Sequence, residues 1–344
     1  MRMGTVRRTS ATGLALVLLS CSTRAALAQP ERDDETEASE SGLIKAGGSA
    51  SGSPGAADDA AGAGIAEAQR QALRPRYSID TEFDATLDAS LDGGGDLSVY
   101  RSNLNASVLI PQEDRSAFSL SLRGTRTFYN WSDPASLDLP SDEQPFQRIN
   151  EVAISGSYMR PLTDHWSGFV AGRLDYAAED GATLGDGLTV GTIGAVEYRF
   201  DNDLRLSGGV ILSTRLEEDI LPIPFVAVNW QINEQWSLTN DNALGLQVRY
   251  APNEQWRFAL GAEYARDEFR LDDSGFAPDG AAKRIRVPLR FETVWTPHPR
   301  VTLSGEVGAD LLHRVQISDS NGVRRREFAA DPSLAVGAML TFRF

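Results

Sequence analysis

Three histidines, His165, His298 and His313, are the side chains of this chain that ordinarily serve as a general base near neutral pH. His165 and His298 lie in short polar connections, where a solvated turn residue is the simplest role. His313 lies two residues after Leu311 in a segment whose side chains alternate, so the two side chains share one face, which the pattern described below assigns to lipid. No serine is placed to pair with His313. The sequence therefore predicts that the protein is not an enzyme and has no catalytic residue.

Other ligand-binding motifs are also missing from the sequence. It has no zinc-ligand spacing, no dinucleotide-binding glycine motif and no phosphate-binding loop, so we expect neither a cofactor nor a bound metal. The net charge is −15, and no stretch concentrates basic residues into a large surface. Nucleic acid is therefore not an expected partner.

Side chains alternate with a period of two along much of the chain. From Tyr77 to Leu91 one set is mostly apolar and the other is acidic or hydroxylic. This period places the two sets on opposite faces of a β-strand. About fourteen such segments lie between residues 77 and 344, and twelve is the alternative because 236–240 and 244–250 are short. The pattern predicts an all-β fold, a transmembrane antiparallel up-and-down β-barrel with an even number of strands.

The connections between these segments alternate in length. Tight polar turns such as Asn233-Glu234-Gln235 alternate with longer connections such as 130–146 and 272–283. This is typical of a barrel with periplasmic turns at one rim and external loops at the other. Trp166, Trp236 and Trp256 follow tight turns directly and predict an interfacial girdle. A second girdle is expected at the opposite rim from Phe128, Tyr129, Trp131, Tyr176 and Phe269.

Alternation also assigns charged side chains of both signs to the lumen. The candidate lumen-lining residues are Asp80, Glu82, Asp84, Asp88, Arg123, Arg173, Asp175, Glu197, Arg199, Arg205, Arg257, Glu263, Arg284, Arg286, Arg290, Glu292, Glu306 and Asp310. Two interpretations are open. These groups either line a water-filled pore with a transverse field, or pair across the lumen and fill it. Fourteen strands enclose a wider interior than eight, which favours the pore.

The last strand carries a further signal. Phe344, Phe342, Leu340 and Gly337 match, position by position, the assembly signal of bacterial outer-membrane barrels, so the strand resembles theirs. The barrel portion, residues 76–344, with turns such as Asn233-Glu234-Gln235-Trp236, resembles a family of uncharacterised bacterial outer-membrane β-barrel domains. The resemblance implies location in the bacterial outer membrane, with membrane lipid and the barrel-assembly machinery as partners. It implies no substrate.

The N-terminal part has a different composition. Arg2, Arg7 and Arg8, a short apolar run and Ala26-Leu27-Ala28 predict a signal peptide over residues 1–28. A lipobox-like Leu18-Leu19-Ser20-Cys21 leaves lipidation of Cys21 open. Residues 29–75 are acidic and rich in Gly, Ala and Ser, which predicts a disordered linker.

The function expected from these features is passive passage of small solutes or ions through an outer-membrane pore. The alternative is a closed structural or adhesion barrel whose external loops bind a partner. Three arginines, Arg324, Arg325 and Arg326, lie on a predicted external loop, either as a lipopolysaccharide-binding group or as solvated side chains. The oligomeric state, monomer or trimer, and the solute stay open.

Overall fold

The computed structural model describes residues 73–133, 144–183, 185–217, 220, 222–240, 244–275 and 277–344. The predicted signal peptide, Cys21 and nearly all of the predicted linker lie outside the described residues. Among the residues that are described, no helix is long and apolar enough to cross a membrane. The strands are β1 (Arg76–Ser90), β2 (Asp96–Pro111), β3 (Ala117–Ser132), β4 (Arg148–Pro161), β5 (Trp166–Glu179), β6 (Leu188–Arg199), β7 (Leu204–Ser213), β8 (Ile223–Gln231), β9 (Trp236–Thr239), β10 (Gly245–Tyr250), β11 (Trp256–Glu263), β12 (Ala265–Arg270), β13 (Ala281–His298), β14 (Val301–Ser318), β15 (Arg324–Ala330) and β16 (Ser333–Arg343).

These strands form one closed antiparallel barrel. Strands β1 to β11 each pair with the next in the chain, β11 pairs with β13, and β13 pairs with β14. Strand β16 pairs with both β14 and β1 and so closes the ring. Because β12 continues β11, and β15 and β16 share the partner β14, the wall has fourteen strand positions. The prediction of fourteen strands is confirmed, and the short strands β9 and β10 are both paired.

The alternation of side chains sets the two faces of the wall. On β3, Leu120 and Leu122 are exposed, whereas the intervening Ser119 and Ser121 bond to Ser157 and Ser155 of β4 on the opposite face. Similar exposed apolar side chains occur on every barrel strand from β1 to β14 apart from β12. An apolar outer surface and a polar inner face are what a transmembrane barrel requires.

The rim with the tight connections, here called the turn rim, is built on local side-chain hydrogen bonds. The Asn233 Oδ1 atom accepts from the amides of Gln235 and Trp236 at 3.0 and 2.9 Å, and Asn253 does the same in the next turn. These bonds replace backbone pairing in the turn and aim the following Trp outward. Trp236 lies against Tyr250, with ring centroids 4.7 Å apart, which gives the aromatic cluster that the sequence predicts at this rim.

The opposite rim, here called the loop rim, differs from the prediction. Tyr129, Trp131 and Phe269 are buried rather than exposed, so the second girdle predicted at this rim is wrong for these three residues. Of its other two members, Phe128 is exposed and Tyr176 is partly buried. Tyr129 and Trp131 share the inner face of β3 with Thr125 and Thr127, both of which are also buried. They pack in a hydrophobic core inside the barrel.

That core exists because one strand leaves the wall. β11 pairs with β10 as far as Glu263, but β12, here called the strap, pairs with β13 on one edge and meets β5 through the bridge between Arg270 and Ala178. At the loop rim the strap and β13 to β15 therefore close with β1 to β5 into a narrower ring of nine strands. Strands β6 to β11 lie outside this ring and are here called the crescent.

Two bulges change which residues face inward near the loop rim. The pairing of β1 with β2 shifts between Thr86 and Ala89, where Asp88 has a φ of 39°. The pairing of β13 with β14 shifts after the pair of Arg286 and His313. Each bulge interrupts the alternation at that point.

Candidate functional site

The two faces of the strap have different surroundings. The face formed by its odd-numbered residues, here called the odd face, carries Ala265, Asp267 and Phe269, and Phe269 packs in the core of the nine-strand ring. Its even face carries Arg266, Glu268 and Arg270, whose contacts include Asp186, Arg215 and Glu217 in the β5–β6 and β7–β8 connections. The even face is therefore on the crescent side.

Asp267 anchors the odd face of the strap to the wall. Its Oδ2 atom lies 3.0 Å from Arg101 Nη2 on β2 and 3.9 Å from Arg286 Nε on β13. Arg101 also lies 3.8 Å from Glu151 on β4. The carboxylate thus joins the strap to strands on both sides of the narrower ring, and each of these charges is at least three-quarters buried.

Asp310 forms the second centre of charge. It is fully buried, with Arg290 Nη2 at 2.5 Å, Arg284 Nη2 at 3.4 Å and Arg286 Nη1 at 3.9 Å. Thr86 donates to the same carboxylate at 3.1 Å, and Arg284 Nε donates to His313 Nε2 at 2.8 Å. Three guanidiniums around one carboxylate form a connected layer across the inner faces of β1, β13 and β14.

An apolar core lies in the same narrower ring. Phe146 is at its centre, with ring centroids 4.8 Å from Tyr129, 5.2 Å from Trp131 and 5.0 Å from Phe269. The Trp131 Nε1–H donates to the Phe146 carbonyl at 2.8 Å, so the polar atom of the indole is satisfied inside the core. The remaining buried members are Leu91, Leu97, Val99, Ile149, Leu271, Ala277, Ala282, Val315, Ile317 and Phe328.

Toward the turn rim the inner face is polar and less tightly covered. Asn103 donates to Glu82 at 3.2 Å and Asn105 donates to Asp80 at 3.0 Å. Glu82, Asp84, Glu292 and Glu306 border a cavity of about 20 Å³ together with Ser304, Ala338 and Met339. Gly337 packs directly against this acidic group. A Cβ at this position would lie 2.6 Å from Asp84 Oδ1 and 2.7 Å from Glu306 Cγ, so a larger residue would clash.

The structure brings many of the sequence-predicted residues together and leaves others apart. Arg284, Arg286, Arg290 and Asp310 form one group, which Glu306 joins through Arg290 Nε at 3.5 Å. Arg173 pairs with Asp175 on its own strand, and Glu197 accepts from Ser207 at 3.3 Å. Four of the predicted residues, Arg123, Arg205, Arg257 and Glu263, are partly buried on the same face of the wall; Arg199, also on that face, is exposed.

Asp88 is where the expected alternation fails. The bulge after Thr86 leaves the Asp88 side chain exposed, while Ala89 and Leu91 take the buried positions. Asp88 hydrogen-bonds to Ser98, whose hydroxyl donates to Asp88 Oδ1 at 2.8 Å.

Four residues of the charged network are new relative to the sequence prediction. Arg101, Glu151 and Asp267 follow the inward phase of their strands, so continued alternation could have found all three. His313 could not have been found in this way. Its predicted lipid-facing position is wrong, because Leu311 and Leu312 are both exposed at the bulge and His313 becomes 1% exposed.

The three histidines differ in burial and contacts. His165 and His298 are exposed, and His165 stacks on Tyr198 at 5.8 Å. His313 accepts a hydrogen bond from Arg284. Within the described ranges, no group of three or more His, Cys, Asp or Glu side chains could hold a metal ion.

The sequence profile of the family described as a domain of unknown function, DUF6268, matches residues 67–337. The chain belongs to this family. No protein of curated function matches it by sequence comparison.

Solved structures with a similar fold are outer-membrane barrels. An outer membrane channel from Pseudomonas putida F1 is 10% identical, with a TM-score of 0.44, and the match covers 78% of this chain and 95% of that one. The P. putida toluene transporter TodX is 9% identical, with a TM-score of 0.40, over 78% and 89% of the two chains. The translocator domain of the autotransporter NalP from Neisseria meningitidis is 10% identical, with a TM-score of 0.34, over 84% and 98%.

Proposed function

We propose that this DUF6268 protein is an outer-membrane barrel for passive passage of small solutes or ions, with the strap as the element that closes its loop rim. The observation that carries the proposal is how the strap is attached. One edge pairs with β13 along its whole length, but the other edge meets β5 at the single bridge between Arg270 and Ala178. A strand held along one edge can move away from the crescent without breaking the barrel wall.

Ion pairs, together with the packing of Phe269 against Phe146 and Tyr129, supply the rest of the strap's attachment. Asp267 binds Arg101 and Arg286 on the odd face, and Arg270 binds Glu217 on the even face. Ion pairs and one bridge can exchange for water when the strap moves, whereas the continuous hydrogen-bonded ladders of the wall stay closed. The proposal places the path beside the strap, because the nine-strand ring occupies only part of the circumference of the fourteen-strand wall. A second cluster of buried apolar side chains, Ala171, Ile193, Ile211 and Ile223, lies on that side.

The orientation in the membrane forms part of the same proposal. The turn rim would face the periplasm and the loop rim the exterior, because short turns and the C-terminal end of the chain share one rim. Gly337, Leu340, Phe342 and Phe344 of the last strand would be the signal bound by the barrel-assembly machinery. Membrane lipid would cover the exposed apolar face.

A disulfide that locks the strap tests the proposal. Arg270 and Ala178 are partners across the bridge, so Arg270→Cys with Ala178→Cys, in a Cys21→Ser background, joins the strap to β5. We expect discrete current steps in a planar bilayer from the reduced protein, suppression on oxidation and recovery with dithiothreitol. The two single-cysteine variants are the matched controls and should not respond to the reductant. Equal conductance of the oxidised and reduced double variant would refute a moving strap.

A closed structural or adhesion barrel is the second candidate. The observation that favours it is the core of buried apolar residues inside the nine-strand ring, fourteen of them in the described part of the chain. In that case neither the reduced double variant nor the wild type would pass current after insertion. Arg324, Arg325 and Arg326 begin β15 and do not form the predicted loop. They contribute little to a phosphate-binding surface, because Arg324 pairs with Glu327 and Arg325 pairs with Asp319, each at 2.7 Å.

A further inference from the structure

Among the described residues around the even face of the strap, basic side chains outnumber acidic ones. Arg266 Nη2 donates to Glu268 Oε2 at 3.1 Å, and Arg215 Nε from the β7–β8 connection lies 4.0 Å from the same oxygen. Lys283 is the cross-strand partner of Glu268 on β13. Glu268 therefore lies among three basic side chains.

The next carboxylate along the face does not offset this excess. Glu217 pairs with Arg270, which also donates to the carbonyls of Asp186 at 3.1 Å and Asp279 at 2.7 Å. Across the six side chains Arg215, Arg266, Arg270, Lys283, Glu217 and Glu268, four are basic and two are acidic, a net charge of +2. An anion placed among them would meet a favourable field.

Arg266 has donor atoms left to bind such an anion. Its side chain is 1% exposed, and its Nε and Nη1 atoms make no hydrogen bond within the described part of the chain. Leaving buried guanidinium donors unmatched is costly, and arginine is the side chain best suited to bind carboxylates and phosphates. Arg215, whose side chain is 4% exposed, stands beside it across Glu268.

We propose that Arg266 and Arg215 form a binding site for a small anion, a carboxylate or phosphate group, on the crescent side of the strap. The inference rests on the proposed function in one respect, since it names anions as the solute class that passes there. Both guanidiniums are buried in the closed structure, so a solute reaches them when the strap moves. Its binding links the strap to the β7–β8 connection, so the same site couples anion occupancy to the position of the strap.

Crystals of the full mature protein soaked in selenate test the site without reference to conduction. We expect an anomalous peak within hydrogen-bonding distance of Arg266 Nε or Nη1, and no peak there in Arg266→Met. Calorimetric titration with inorganic phosphate at constant ionic strength should show a Kd raised about tenfold or more in Arg266→Met. Arg266→Lys, which keeps the charge but loses the fork, should fall between the two. Arg126→Met, at an exposed arginine that faces outward on β3, is the matched control and should bind as wild type.

Several results would overturn the proposal. In the crystal, they are water alone, or a carboxylate of the chain itself, beside Arg266 Nε and Nη1. In calorimetry, the result is equal phosphate binding by wild type and Arg266→Met. The double variant Glu218→Gln with Asp219→Asn tests the second of these, because anion binding that begins only in this variant would mean that the chain supplies its own carboxylate. Heat-modifiable mobility on gels establishes that each variant is folded. A bound anion in a barrel that passes no current would leave the site standing and refute the pore.

Discussion

Replacing Asp267 with Asn should release the strap. Asp267 Oδ2 is the strap's carboxylate contact to Arg101 at 3.0 Å and Arg286 at 3.9 Å, and both arginines are largely buried. Asparagine keeps the shape of the side chain but removes the charge, so two guanidiniums stay buried with weaker partners while the strap is closed. When the strap moves away, both guanidiniums become hydrated, so the free-energy cost of burying them without a carboxylate disappears.

The size of the effect follows from the cost of breaking a buried ion pair from one side. Such changes cost about 3–5 kcal/mol, and the amide oxygen of asparagine places this one near 3 kcal/mol. Because 1.4 kcal/mol is a factor of ten, the open-to-closed ratio should rise roughly a hundredfold. Single-channel recording in a planar bilayer measures this ratio as open probability.

Asp310→Asn is the matched control for this prediction. Its carboxylate is also buried among arginines, but its contacts at 2.5 and 3.1 Å are to Arg290 and Thr86, neither of which touches the strap. Its ion-pair link to the strap runs through Arg286, at 3.9 Å. The variant should lower the stability of the barrel toward denaturant and raise the open probability far less than Asp267→Asn does. Equal open probabilities for Asp267→Asn and Asp310→Asn would refute the role of Asp267 as the strap anchor.

Three further predictions concern stability, each read as the free energy of unfolding in urea with refolded protein in detergent micelles. Gly308→Ala should cost about 2 kcal/mol or more, because its Cβ would lie 1.9 Å from the Leu289 carbonyl oxygen. Gly305→Ala on the same strand is the control, because its Cβ would meet nothing closer than 3.9 Å. Equal losses of stability in the two variants would contradict the steric explanation. Trp131→Ala should cost about 3–5 kcal/mol, because it empties part of the buried core. Trp236→Ala should cost much less, because Trp236 is exposed. The reverse order would mean that the core contributes little to the stability of the barrel. Asn233→Ala should cost about 1 kcal/mol, because two turn hydrogen bonds are lost. Asn233→Asp should keep most of the wild-type stability, because its carboxylate oxygen can accept the same two hydrogen bonds.

The sequence by itself determined the wall of the barrel. A period of two assigns each side chain to one face for as long as the register continues, and turns such as Asn233 to Gln235 mark where strands end. Strand number, the polar inner face, the girdle at the turn rim and the inward position of Arg284, Arg286, Arg290 and Asp310 all follow from this local rule.

The tertiary structure alone decided what fills the loop rim. Residues 256–270 alternate as one strand, and only the choice of partners shows that the part after Glu263 leaves β10 and crosses to β5. The exposed Asp88 and the buried His313 depend on bulges, which add a residue to one strand without a clear mark in composition. Periodicity describes a strand against its immediate neighbours. The strap and the core arise from contacts between strands far apart in the chain, which no local pattern encodes.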